Sequence, residues 1–334
     1  MNVYLYKIYF WYKNSRPRAL PQSIIPIFIA IAYASHKPGF SIPMSVLAII
    51  GVVFAHLGAN LFDDYFDNKK SKSDLRERLK HQGFRARIAK CPYLTSGKAT
   101  EKELLTVASL FFIIGGIISI IIYLNRGEVI LYFLLMTLIL SLSYSASPVK
   151  LSYRGFGELI IAFMFGPLSM TGVYYSACGE INWSLLYVFI PIGFLVMNII
   201  FVHSIMDMVP DKHVGKVTLA VIINNNYINL GLLILINLLP YIIIITGITL
   251  NIFQIYYFAV LLILPMSISL IYLMIHYIKD PNRKFTSIFL LGVTKDYKLS
   301  QRLGNEWFML RWLLARNITI FFSFIIIILA IIFK

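Results

Sequence analysis

Apolar residues in this chain come in long continuous runs, with the polar residues gathered in the gaps. The runs cover 20–36, 43–66, 103–123, 128–147, 157–177, 183–207, 228–249, 253–277 and 312–333. A bilayer core takes about 20 mostly apolar residues in helical form, so each run reads as a membrane span. Strands would alternate, and these runs do not; in lipid only helices or closed barrels satisfy the backbone. The pattern predicts an all-α fold, a polytopic transmembrane bundle of about nine helices, with 1–334 as a single membrane-embedded domain. Residues 1–19, aromatic and basic, read as an interfacial N-terminal segment, and 67–102 as a long basic loop.

Composition narrows the class. Hydrophobic residues make up 59% and charged residues 13%, whereas a soluble chain carries roughly a quarter charged. That excludes soluble-enzyme, secreted-scaffold and disordered readings. The net charge of +15 invites a nucleic-acid partner, but its distribution points elsewhere. With nine spans, 27 of the 30 Lys and Arg fall on one side, leaving Lys37, Arg126 and Lys334 on the other. Such asymmetry marks the cytoplasmic side. The expectation is an integral protein of the cell (inner) membrane, N-terminus and active site cytoplasmic, with lipid rather than nucleic acid around it. Cys91 and Cys178 lack metal-ligand spacing and imply neither zinc nor a disulfide framework.

All eight aspartates fall on that same side. The second run ends His56-Leu-Gly-Ala-Asn60-Leu-Phe-Asp63-Asp64-Tyr65-Phe66-Asp67. At about 100° per residue, His56, Asn60, Asp63, Asp64 and Asp67 share one helix face. Carboxylates at a helix C-terminus repel one another and the dipole unless a cation is supplied. Oxygen donors favour a hard ion, Mg²⁺ before Ca²⁺ or Mn²⁺. The sixth run ends His203-Ser-Ile-Met-Asp207-Met-Val-Pro-Asp211, with Pro210 expected to fray the last turn. Two such acidic ends facing each other would make a two-centre Mg²⁺ site able to hold a diphosphate.

These residues resemble the UbiA-type intramembrane prenyltransferases. Asn60 to Asp67, followed by Asp74, resembles the first aspartate-rich motif, most closely that of the 1,4-dihydroxy-2-naphthoate polyprenyltransferases. Asp207-Met-Val-Pro-Asp211-Lys-His-Val-Gly215-Lys216-Val-Thr218-Leu219 resembles the second. Ser15-Arg16-Pro17-Arg18-Ala-Leu-Pro21, Pro92-Tyr-Leu-Thr-Ser96-Gly97, Tyr144-Ser-Ala-Ser-Pro148-Val-Lys150, Tyr153-Arg154-Gly155-Phe-Gly157-Glu158 and Phe165-Gly166-Pro167 look like the naphthoate branch, in collinear order. Asp63 and His203 stand where that branch commonly has Asn, and 75–90 is unusually basic.

The resemblance implies transfer of a polyprenyl group from polyprenyl diphosphate to an aromatic acceptor, foremost 1,4-dihydroxy-2-naphthoate in menaquinone biosynthesis. The alternatives are 4-hydroxybenzoate or another phenolic acid, and then a non-enzymatic transporter, which would want ionisable residues at mid-span. It also implies that Asp64, Asp67, Asp207 and Asp211 are catalytic, and that they bind Mg²⁺ together with Asp63. Lys150, Arg154 and Lys216 become the diphosphate-binding candidates. His56, Asn60, Tyr144 and His203 are the acceptor-binding candidates, imidazole being able to titrate near neutral pH. Tyr65, Tyr144, Tyr174 and Tyr175 are candidates to line an allylic cation.

Overall fold

Residues 3–69, 91–283, 285, 301–302 and 304–333 are described by the structure, a computed structural model. Asp74, Asp296 and the basic 75–90 segment lie outside the described residues. In chain order, α1 is Val3–Asn14, α2 Pro21–Ala34, α3 Ile42–Lys69, α4 Glu101–Arg126 and α5 Val129–Ser145. Then come α6 Gly157–Phe163, α7 Ser169–Cys178, α8 Leu186–Met206, α9 Met208–His213 and α10 Leu219–Ile223. The chain continues with α11 Asn226–Thr249, α12 Leu264–Lys279 and α13 Glu306–Ile332. No strand occurs among the described residues. Seven helices among them are long and apolar enough to cross a membrane. The runs predicted at 20–36 and 128–147 form the shorter apolar helices Pro21–Ala34 and Val129–Ser145.

The chain divides into two compact units, Met1–Tyr153 with Leu168–Ile181, and Arg154–Pro167 with Asn182–Lys334. In the first unit, α3 and α4 pack through small residues, because apolar helices in lipid gain by close approach rather than by burial from water. A Cβ on Gly58 would stand 3.0 Å from the Phe112 ring, and one on Gly51 3.3 Å from Ile118 Cγ2. Helix α4 starts with a capping box: Glu103 N–H donates to Thr100 Oγ1 (3.2 Å) and Thr100 N–H to Glu103 Oε2 (2.9 Å). Asn68 Nδ2 donates to Glu101 Oε1 at 2.8 Å, joining the last turn of α3 to the first of α4.

At the far end of α4, Arg126 accounts for one exception to the charge asymmetry. Its Nε donates to Ser176 O (2.8 Å) and its Nη2 to Ala177 O (2.7 Å) and Gly39 O (3.0 Å). These include the orphan carbonyls at the C-terminus of α7, which a cation satisfies while complementing the helix dipole. Tyr175 OH donates to Arg126 O (2.6 Å) and Tyr174 OH to Glu180 Oε1 (3.2 Å). Both tyrosines therefore serve the Arg126 end of this unit. The expectation that they line a cation is corrected for the first aspartate motif: α4 separates its two ends by about 1.5 Å per residue over its whole length.

In the second unit, α6 runs into a π-helical turn, Met164–Leu168, holding Pro167. There the backbone meets α8 directly. A Cβ on Gly166 would lie 2.5 Å from Phe189 O, and one on Gly193 2.3 Å from Ala162 O. Gly193→Ala should force the helices apart and cost about 1–3 kcal/mol, the usual penalty of overpacking. A lowered thermal-unfolding midpoint of the purified variant in detergent is the expected reading; an unchanged midpoint contradicts the packing argument. Buried amides then tie the spans together: Asn198 Nδ2 donates to Asn237 Oδ1 (2.9 Å), and Asn237 Nδ2 to Ser267 O (3.0 Å).

Candidate active site

The first aspartate motif occupies the last turns of α3, where the first unit closes around it. Asp64 is buried, at 4% exposure. Tyr93 OH donates to Asp64 Oδ2 at 2.9 Å from the short helical turn Pro92–Thr95. Burial first, and then the Asp64 charge, push the Tyr93 hydroxyl well above its usual range, so it remains a donor. The Tyr93 ring is wedged edge-on against Phe10 and Trp11 of α1, with centroids at 6.2 and 5.9 Å. Asp63 accepts from Ser145 Oγ at 2.6 Å, at the end of α5. Asp67 accepts from Tyr153 OH. Each carboxylate of the motif is thus set by a hydroxyl from a different element.

Arg16 reaches the same place from the N-terminal segment. Its Nη2 meets Asp64 Oδ1, Asp63 Oδ2 at 3.0 Å and the Asn60 carbonyl at 2.8 Å. Asn60 answers with its side chain, Nδ2 donating to Ser15 O at 3.0 Å. Burial works against the Arg16 charge, but Asp64 and Asp63 outweigh it and hold the guanidinium above its ordinary range. Arg16 is left-handed (φ 59°), a conformation a non-glycine residue keeps only when its surroundings require it. His56 is half-buried one turn before Asn60, and Tyr144 is half-buried beside Ser145. Lys150 is half-buried, with φ 49°, and Arg154 is exposed.

The second motif is built within the second unit. The predicted fraying at Pro210 falls earlier: α8 ends at Met206, Asp207 caps it, and α9 starts at Met208 with Pro210 inside. The cause is a missing donor. Proline has no N–H for the carbonyl four residues back, and that carbonyl, Met206 O, accepts Tyr277 OH instead at 3.0 Å. Asp207 is fully buried and Asp211 is 2% exposed. His203 Nε2 lies 2.9 Å from Asp207 Oδ2, its ring edge-on to Phe308 at 5.2 Å. Of the acceptor candidates, Asn60 thus bonds Ser15 and His203 bonds Asp207.

After α9, Gly215 turns left-handed (φ 71°), as a helix C-terminus prefers. Lys216, half-buried, donates its N–H to Asp211 O at 2.9 Å. Sequence reasoning gave Glu158 no role. The structure buries it to 2% exposure, accepting from Ser204 Oγ (2.7 Å) and from the Leu219 N–H at the start of α10 (3.3 Å to Oε1). Gly155 N–H donates to Val217 O at 2.9 Å, and a Cβ there would strike Ile222 Cδ1 at 2.0 Å. The Gly155–Glu158 segment is thus the clamp on the loop carrying the second motif.

Among the described residues, no three His, Cys, Asp or Glu side chains form a ready-made metal cage. Mg²⁺ commonly takes one or two carboxylates and completes its shell with water and phosphate oxygens. The donors are hard carboxylate oxygens, buried at Asp64, Asp207 and Asp211 and half-buried at Asp63 and Asp67, and at Asp63 and Asp64 a cationic guanidinium already sits against them. The residues fit the ion.

Comparison with known proteins decides the family. The model of the UbiA prenyltransferase family matches residues 23–293. This chain belongs to the UbiA prenyltransferase family. The coarse activity that follows is prenyl transfer, and with seven apolar helices the protein is an integral membrane protein. UbiA-family relatives include a 1,4-dihydroxy-2-naphthoate octaprenyltransferase of Haemophilus influenzae, 26% identical over 64% of this chain and 69% of that one. One of the same name from Mycobacterium tuberculosis is 24% identical over 63% of this chain and 68% of its own length. A digeranylgeranylglyceryl phosphate synthase structure aligns with TM-score 0.61 at 20% identity, covering 97% of this chain and 99% of that one. A UbiA homologue from Archaeoglobus fulgidus, bound to DMAPP and Mg²⁺, aligns with TM-score 0.55 at 16% identity, covering 95% and 98%. These likenesses show that the fold is that of UbiA proteins.

Proposed function

We propose that this protein transfers a polyprenyl group from polyprenyl diphosphate to 1,4-dihydroxy-2-naphthoate in menaquinone biosynthesis, at the cytoplasmic side of the cell membrane. The observation that carries the reading is the pair of acidic motifs, buried at Asp64, Asp207 and Asp211, with Asp64 oriented by Tyr93 and Arg16 and Asp207 by His203. The names of the Haemophilus influenzae and Mycobacterium tuberculosis relatives support the acceptor, and the Mg²⁺- and DMAPP-bound Archaeoglobus fulgidus homologue supports the metal and donor class.

Asp63, Asp64 and Asp67 in the first motif, and Asp207 and Asp211 in the second, are the residues that would hold Mg²⁺. When bound, the ion supplies Lewis-acid neutralisation of the charge that develops on the leaving diphosphate. Tyr93, Ser145 and Tyr153 fix the first motif's carboxylate oxygens, so little reorganisation is needed as charge separates. His203 does the same for Asp207. Lys150, Arg154 and Lys216 would bind diphosphate oxygens by charge-assisted hydrogen bonds. His56, Asn60 and Tyr144 in the first unit and His203 in the second are the proposed acceptor-binding residues.

Acceptor choice is tested by offering 1,4-dihydroxy-2-naphthoate and 4-hydroxybenzoate in parallel to purified protein with labelled polyprenyl diphosphate. Label in a decarboxylated naphthol product is the expected outcome. Label confined to the benzoate product would overturn the acceptor while keeping the reaction class.

A further inference from the structure

We propose that Arg16 is a resident counter-ion of the first aspartate motif, holding Asp63 and Asp64 until a divalent cation arrives with the diphosphate, and then serving the diphosphate itself. The inference rests on the metal-site reading above and deepens it.

The hydrogen-bond geometry of the guanidinium carries the argument. A single nitrogen, Nη2, faces Asp64 Oδ1, Asp63 Oδ2 and Asn60 O. A guanidinium NH₂ has two hydrogens, so three acceptors exceed what it can serve. Nε, by contrast, is buried and meets no acceptor among the described residues. The cation is crowded on one side and carries an unused donor on another. That arrangement suits a group that neutralises two carboxylates in one state and recognises a further anion in a second.

The position is imposed by the backbone. Arg16 is left-handed, and its neighbour Ser15 is fully buried, with its carbonyl held by Asn60 Nδ2. Ahead of them, α1 is anchored through Phe10 and Trp11 to Tyr93, itself bonded to Asp64. The opposite face of α1 exposes Leu5, Ile8, Tyr9 and Tyr12, a surface suited to the lipid interface. An interfacial helix thus delivers one guanidinium onto the oxygens a divalent ion would use. Two cations cannot share them at full strength, so Arg16 weakens binding of the metal alone. A diphosphate brings the negative charge that lets Arg16 leave the carboxylates and remain neutralised. The metal is thereby favoured as a complex with diphosphate over the free ion.

The test is Mn²⁺ binding by electron paramagnetic resonance, on full-length protein in detergent, with and without inorganic pyrophosphate. Arg16→Asn suits it, because asparagine tolerates the left-handed backbone and is too short to reach the carboxylates. This variant should bind Mn²⁺ alone about tenfold more tightly than wild type, the lower end of what an adjacent arginine does to an aspartate's affinity for a proton. Pyrophosphate should strengthen Mn²⁺ binding in wild type and do so about tenfold less in the variant, on the same reasoning. Arg16→Lys, which keeps the charge, should stay within about threefold of wild type, since the Coulomb term survives. Arg16→Asn binding Mn²⁺ no more tightly than wild type, with Arg16→Lys intact, overturns the proposal. Asp64→Asn in the wild-type background reports on the metal site separately. Undiminished Mn²⁺ binding there refutes the metal-site reading, whereas loss of binding with no gain in Arg16→Asn refutes only the role of Arg16.

Discussion

Asp64→Asn and Asp211→Asn each lose prenyl transfer by about 10³-fold or more while the protein still folds and inserts, the scale on which removal of a preorganised charge-stabilising group acts. Asparagine is the informative substitution at Asp64. Alanine would strip the acceptor from Tyr93 OH, and an unmatched buried hydroxyl costs about 1–3 kcal/mol of stability. Asparagine keeps an oxygen for Tyr93 and removes the charge that Mg²⁺ requires, so a loss of activity cannot be assigned to a loosened α3. At Asp211 the backbone contacts, its N–H to Asp207 O and its carbonyl from Lys216 N–H, survive the change unaltered. Product formation from labelled polyprenyl diphosphate, beside a thermal melt of each variant, checks both halves of the statement. Wild-type turnover in either variant contradicts the assignment.

Glu158→Ala changes none of the proposed metal ligands and should still cost about 10–100-fold in kcat/KM, as loss of a supporting hydrogen-bond partner does at metal sites. Glu158 takes Ser204 Oγ from α8 and the Leu219 N–H from the start of α10, so it ties both sides of the loop that carries Asp207, Asp211 and Lys216. Removing it leaves a buried hydroxyl and a backbone donor short of an acceptor, at about 1–3 kcal/mol each. Glu158→Gln retains a carbonyl oxygen of the same reach and should recover most of the activity. Steady-state kinetics on the pair separates a positioning role from a purely structural one: recovery in the glutamine variant with a melt like wild type is expected. Equal kinetics in Glu158→Ala and wild type would contradict the clamp.

The features legible in the sequence are those set by local chemistry. Lipid requires continuous apolar helices, so run length alone located seven helices long enough to cross among the described residues, whereas the runs 20–36 and 128–147 form shorter helices. The Thr100–Glu103 capping box and the glycine after α9 follow local rules that need no partner elsewhere. The acidic stripe on α3 was visible because helical periodicity places Asn60, Asp63, Asp64 and Asp67 together.

What the sequence concealed are partnerships between distant positions. Nothing near Arg16 says that it meets residues more than forty positions away, and its basic neighbourhood disguised it as ordinary positive-inside charge. Tyr93, Tyr153 and Glu158 were hidden in the same way, each in a stretch that could be read as part of a motif but not as the holder of a particular carboxylate or N–H. Tyr174 and Tyr175 misled for the opposite reason. Aromatics are common in such a chain, and only the Arg126 and Glu180 contacts show which end of the helix they serve. The break at Asp207 depended on Tyr277, which takes over the Met206 carbonyl that Pro210 leaves without a donor.

The central claim is that the carboxylates of these motifs hold a divalent ion for diphosphate departure. It is tested most directly by following diphosphate release and naphthol prenylation together, in nanodiscs, with wild type and Asp64→Asn, across a Mg²⁺ titration begun in excess chelator. The account predicts no transfer in chelator, saturable recovery with Mg²⁺ in wild type, and no recovery in Asp64→Asn at the Mg²⁺ that saturates wild type. Transfer that proceeds in chelator, or an Asp64→Asn titration that overlays the wild-type curve, would contradict it.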